Sequence, residues 1–223
     1  MVIAIEEVTN KEIQVKSADR VRDHGEVLTA RREVEAMLDL VNNESERIDS
    51  RFLEPACGDG NFLVAILERK LKTVKSRYKG KKVDFEVNML SALSSIYGID
   101  LLEDNIELAI SRMLDVATAC YKDSLKFKPD DEFKNIIRFI LKKNILQGDS
   151  LNGIDKIIFT QWSLVGYKFK REEFSFSQLN QHADIMNTPL FAALTNEKGE
   201  DVYIPQPIKE YPLTYYRNLG GLE

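Results

Sequence analysis

The sequence predicts an α/β domain built on a parallel sheet. Three observations carry that expectation: short apolar runs alternate with helix-period segments between residues 50 and 150, a glycine turn joins the first run to the helix behind it, and the next two runs each lead into an acid, Asp100 and Asp149. Strands alternating with helices imply βαβ units. With 223 residues, 43% hydrophobic and 30% charged, there is enough chain for one sizeable core and some extra. Cys57 and Cys120 lack the spacing of a zinc-binding pair, and two cysteines make no disulfide scaffold, so a reducing, cytoplasmic setting is expected. Acids follow directly on the short apolar start MVIAI, and no stretch approaches the roughly 20 apolar residues of a membrane span, so neither a leader nor a membrane is expected. A net charge of −5 argues against a surface that binds polyanions throughout.

Residues 1–22 alternate apolar pairs with charges and read as an arm or short helix. Val34, Met37, Leu38 and Val41 then recur at helical spacing, with Thr29 as the expected N-cap of a helix reaching about Asn43. NNESERIDS is expected to be a loop. Arg51 to Pro55 is a short strand stopped by proline, Ala56 to Asn61 the glycine turn, and Phe62 to Lys72 a strong helix former. Residues 68–82 are strongly basic; a solvated helix face, ending in a glycine-containing loop, is favoured there over a phosphate-tracking surface. Asp84 to Ser95 reads as a helix and Ile96 to Asp100 as a strand. Ile106, Ala109, Ile110, Met113, Val116, Ala117 and Cys120 lie on one stripe of a helix over 104–121. Asp130 to Lys143 is a further helix, and Asn144 to Gln147 a third strand.

Beyond residue 150 the pattern decays. Trp162, Tyr167, Phe169, Phe174 and Phe176 form an aromatic run for which core filling is favoured over a platform for stacking bases. Residues 203–216 are extended and punctuated by proline.

In an α/β sheet, ligands sit at the carboxyl ends of the strands, where a glycine turn lets backbone approach them. Gly58 and Gly60 in the first turn, Asp100 closing the second strand to accept ribose hydroxyls, and Asp149 after the third to meet a polar base edge together outline a nucleoside-shaped site. The dinucleotide spacing GxGxxG is absent.

These residues resemble a family. Phe52-Leu53-Glu54-Pro55-Ala56-Cys57-Gly58-Asp59-Gly60-Asn61-Phe62-Leu63 is similar to the first motif of S-adenosylmethionine-dependent N6-adenine DNA methyltransferases of restriction–modification systems, whose usual form is close to D-P-A-C-G-S-G-N-F-L. Asp23 to Thr29 resembles the G-E-x-F-T-P segment that covers the methionine end of the cofactor, with Ala30 in the place of its proline. Tyr97-Gly98-Ile99-Asp100-Leu101 with Asn105 resembles the second motif, and Asn144 to Leu151 the third. The resemblance spans roughly residues 20–152.

It implies a Rossmann-like methyltransferase core over residues 46–180, a helical N-terminal segment (1–45) over the cofactor site and an irregular C-terminal extension (181–223). It further implies S-adenosyl-L-methionine as cofactor, held by His24, Gly25, Glu26, Thr29, Glu54, Pro55, Ala56, Cys57, Gly58, Asn61, Phe62, Asp100, Leu101, Asp149, Ser150 and Leu151, and no metal. Glu54 would pair with the cofactor's ammonium and Asp149 with its adenine amino group. The helix start at Asn61 and Phe62 would face the cofactor carboxylate.

The family's Asn/Asp-Pro-Pro-aromatic motif orients a flipped base, yet none of the six prolines adjoins another. Asn187-Thr188-Pro189-Leu190-Phe191 is the nearest candidate, with Asn187 as the catalytic residue; a plain turn is the favoured reading of that loop. DNA is expected as substrate, reached through a partner or specificity subunit, with a protein partner on the C-terminal extension. A catalytically inactive regulatory subunit, and a methyltransferase with a non-DNA acceptor, stand as alternatives.

Overall fold

The computed structural model describes residues 29–177 and 206–221, together with Arg20 and Arg22. Its elements run α1 (Arg31–Leu40), α2 (Asn42–Ser45), β1 (Phe52–Glu54), α3 (Asn61–Tyr78), α4 (Lys82–Ser94), β2 (Ile96–Asp100), α5 (Glu103–Leu125), α6 (Asp131–Asn144), β3 (Ile145–Gln147), β4 (Ile158–Val165), β5 (Lys168–Ser175), β6 (Lys209–Glu210), β7 (Thr214–Tyr215) and a closing 3-10 helix (Tyr216–Gly221). The chain is mixed α/β. Strands β1, β2 and β3 form a parallel sheet in that order, with Phe52 opposite Ile96 and Gly98 opposite Ile145. β4 to β7 form a second, antiparallel sheet.

Alternation of side chains along the parallel strands divides the core. Ile96 and Ile145 join the helix side, with Leu63, Leu67, Ala109, Met113, Ile137 and Ile140. Tyr97, Ile99, Leu53 and Leu146 face the other way and pack on Ile157, Phe159 and Phe176 beside the hairpin. Asn144 locks the two sheets together: its amide donates to the carbonyls of Ser94 and Ile96 at 3.1 and 3.0 Å and accepts Trp162 Nε1 at 2.8 Å.

Several expectations change. Thr29 does not cap α1, which starts at Arg31 behind Ala30 with no side-chain cap bond. That helix stops at Leu40, and the supposed loop behind it opens with the short helix α2. The basic stretch stays helical through Tyr78, and its first residues are not a solvated face. Arg69 binds Glu35 and Asp39 of α1, each at 2.6 Å. Lys70 is fully buried. Its ammonium donates to the carbonyls of Arg47 and Ile48 at 2.8 and 3.2 Å and to that of Ser50, closing the turn that leads into β1. The aromatic run is the β4–β5 hairpin, turning on Gly166 at φ +61° as a two-residue loop with glycine first. Trp162, Phe169 and Phe174 are buried as expected, whereas Tyr167 at the turn is exposed. Within the C-terminal extension, residues 206–221 are built into the fold: β6 and β7 pair with β5, and Tyr216 and Leu219 are buried. No helix among the described residues is long and apolar enough to cross a membrane.

Burial pushes the Lys70 ammonium down to about 7 from its ordinary 10.5. The unfolded chain therefore binds more protons between those two values, and stability should rise with pH across that window. Lys70→Met is expected to cost about 2 kcal/mol by leaving buried carbonyls unsatisfied, and to flatten that rise. Urea titrations at pH 7 and pH 9 measure both effects.

Candidate functional site

β1, β2 and β3 end at one edge of the parallel sheet, and a cleft of about 530 Å3 opens there. Thr29, Glu54, Pro55, Ala56, Cys57, Gly58, Asn61, Phe62, Asp100, Leu101, Asp149, Ser150 and Leu151 all line it. Those are the predicted cofactor residues that the structure describes. His24, Gly25, Glu26 and Asn187 lie outside the described residues.

The turn after β1 owes its shape to its two glycines. Gly58 and Gly60 take φ of +53° and +89°, backbone conformations that cost glycine little. A Cβ on Gly60 would stand 2.9 Å from the Ala109 Cβ of α5, so the turn presses directly on the next helix. Cys57 N–H donates to Ile99 O at 2.9 Å and Gly58 N–H to Asp100 Oδ2 at 2.9 Å, tying turn to strand. Glu54 Oε1 accepts the Ala56 N–H at 3.2 Å.

Asp100 is held from several sides. Its Oδ1 accepts Leu102 N–H at 2.9 Å and Asn105 Nδ2 at 3.0 Å, while Oδ2 takes the single Gly58 bond. A carboxylate has about four lone-pair positions, so Asp100 retains acceptor capacity for a ligand. Asp149 is more committed: Oδ1 accepts the N–H groups of Asn152 and Leu151 at 2.9 Å each, and the Asn152 amide reaches Oδ2 at 3.2 Å. Those bonds, the Asn152 N–H first, hold its carboxyl below the usual range. Asp149 thus orders its own loop as well as facing the cleft.

Asp59, Asn105, Met37, Leu102 and Gly148 line the cleft without having been predicted as ligand residues. Asp59 was legible within the glycine turn, and Asn105 from its place in the first turn of α5. Arg112 gave no signal. Its guanidinium meets Asp59 O at 2.8 Å, Asp59 Oδ2 at 2.9 Å and Asn61 Oδ1 at 2.8 Å. Asn61 passes the link on, its amide donating to Thr29 O at 3.0 Å. Asp59 Oδ1 is buried and has no hydrogen-bond partner among the described residues, an acceptor in want of a donor.

Glu54, Asp59, Asp100 and Asp149 line the cleft, and among the described residues no lysine, arginine or histidine does. Such a lining repels phosphates and favours a ligand rich in N–H and O–H donors that carries positive charge. Exposed Leu101, Leu151 and Met37 offer apolar surface at its rim for a flat ring.

Cys57 is buried. Burial pushes its thiol far above the ordinary range, and the Asp100 and Glu54 carboxylates push the same way. The thiolate is the reactive form. Alkylation of Cys57 at pH 8 is expected to run at least about tenfold slower in the folded protein than in urea, as mass mapping of labelled peptides would show.

Comparisons with protein-family models, with curated proteins and with solved structures find no match to this chain.

Proposed function

We propose that the cleft binds S-adenosyl-L-methionine on a Rossmann-like core, and that the chain acts as an N6-adenine DNA methyltransferase. The observation that carries this reading is the acidic cleft at the strand ends, lined by all the described residues that the family resemblance assigns to the cofactor. The residues fit that group. The ligand brings a sulfonium and an ammonium, and the site offers Glu54 together with the partnerless buried oxygen of Asp59. It brings two ribose hydroxyls, for which Asp100 keeps acceptor capacity. Its adenine amino group would meet Asp149 Oδ2, with Leu101 and Leu151 flanking the ring. A dinucleotide or nucleoside triphosphate would place phosphates among four carboxylates.

The bound cofactor supplies an activated methyl group. The chain's own part is to hold it in place, so that positioning dominates the rate. A cofactor-binding regulatory subunit is the second reading, favoured by the absence of a Pro-Pro pair anywhere in the sequence.

Calorimetry separates these ideas in order. S-adenosylmethionine should bind while ATP and NAD give no heat; the reverse preference, or no heat from S-adenosylmethionine at millimolar concentration, removes the cofactor assignment. Methyl transfer to unmethylated DNA then decides between enzyme and subunit. Binding without incorporation selects the subunit.

A further inference from the structure

Arg20 precedes the sheet by some thirty residues in sequence, yet its side chain reaches Asn105, a residue that lines the cleft. Its Nη1 donates to Asp104 Oδ2 at 2.6 Å and its Nη2 to Asp104 Oδ1 at 3.2 Å, a two-pronged grip on an acid in the first turn of α5. The same Nη2 donates to Asn105 Oδ1 at 3.2 Å. Asn105 is 1% exposed, lines the cleft and turns its amide nitrogen to Asp100 Oδ1 at 3.0 Å. The three groups form a chain: guanidinium, amide, carboxylate.

An asparagine amide has a donor end and an acceptor end, and nothing intrinsic to the residue decides which end faces a neighbour. If the Asn105 oxygen faced Asp100, two acceptors would meet. A guanidinium on that oxygen fixes the other orientation, so Asp100 Oδ1 receives a donor, and Oδ2, which accepts the Gly58 N–H, keeps its remaining acceptor capacity for a ligand. We propose that Arg20 is a positioning residue for the cleft: through Asn105 it sets the Asp100 carboxylate and thereby couples the N-terminal segment to ligand binding. This rests on the reading of the cleft as a cofactor site. Coupling is reciprocal, so a ligand that engages Asp100 tightens the hold on Arg20.

The test uses the full chain with S-adenosylmethionine as the probe. Arg20→Ala should weaken binding by about tenfold, or 1.4 kcal/mol, with the ligand-free melting temperature within a few degrees of the parent. Arg20→Lys, which keeps the charge and loses the fork, should recover only part of the affinity. In an Asn105→Ala background Arg20→Ala should change affinity no further, because a relay is non-additive. Tryptic cleavage after Arg20 should slow when ligand is added, and should not slow in Asn105→Ala. Unchanged affinity in Arg20→Ala, or full additivity with Asn105→Ala, overturns the proposal while leaving the cofactor reading intact. No binding by the parent protein removes both, and is recognised before any variant is compared.

Discussion

Glu86→Ala is expected to lower the free energy of unfolding by about 3–5 kcal/mol, the range for a buried ion pair that loses one partner. Glu86 is 0% exposed. Its Oε1 accepts the Tyr121 hydroxyl at 2.7 Å and its Oε2 the Tyr216 hydroxyl at 2.8 Å. Arg217 adds its Nε to Oε2 at 3.2 Å and its Nη2 to Oε1. Truncation strands two hydroxyls and half of a guanidinium that is itself held at the other end by Asp130, at 2.9 Å to each oxygen. Glu86→Gln preserves shape and removes charge, so its loss should be smaller. Urea unfolding at neutral pH measures both variants; a loss below about 1 kcal/mol for the alanine, the scale of an exposed pair, would show that the network contributes little.

On the cofactor reading, Asp100→Ala should weaken S-adenosylmethionine binding by at least about a hundredfold. A hydrogen bond to a charged group contributes roughly 1.5–3 kcal/mol, and each 1.4 kcal/mol is tenfold in affinity; two ribose hydroxyls therefore set that scale. The variant also frees the N–H groups of Gly58 and Leu102, which lie at a solvent-open cleft where water can replace the carboxylate. The fold should survive, as circular dichroism and a melting curve would establish. Asp100→Asn keeps an acceptor oxygen and should fall between. A change under about tenfold in the alanine variant would remove Asp100 from the site.

The parallel sheet and the cleft were legible because each of their parts is local. A strand ending in glutamate and proline, two glycines and a helix start lie within a dozen consecutive residues, and their spacing alone determines a strand–turn–helix. The second and third strand ends repeat the logic with Asp100 and Asp149. The hairpin was not legible, although Gly166-Tyr167 marks its turn. Arg171 is the reason: it stands at an inward position, 3% exposed, with its guanidinium 3.4 Å from the centre of the Tyr211 ring and 5.2 Å from that of Phe139. A charged residue on the buried face breaks the alternation that announces a strand. Lys70 misled in the same way, since a lysine in a basic run looks solvated until three carbonyls from a distant turn are brought to it. Arg112 could not be found from sequence because what it binds is set by how α5 lies beside the glycine turn, and Arg20 because its partners Asp104 and Asn105 lie 84 and 85 positions away.

The bond from Arg217 to Glu86 spans 131 positions of the chain. During synthesis the cleft's strands and their helices, all complete by residue 151, emerge well before the last partner of Glu86. Until residues 216 and 217 are made, the Glu86 carboxylate of α4 has Tyr121 but lacks the Tyr216 hydroxyl and the Arg217 guanidinium that complete its bonds. Late, long-range closure of this kind leaves an incomplete intermediate exposed for the time the remaining residues take to be made. The parallel sheet and its cleft can assemble from the first 151 residues, whereas the full set of bonds to Glu86 waits for the closing 3-10 helix.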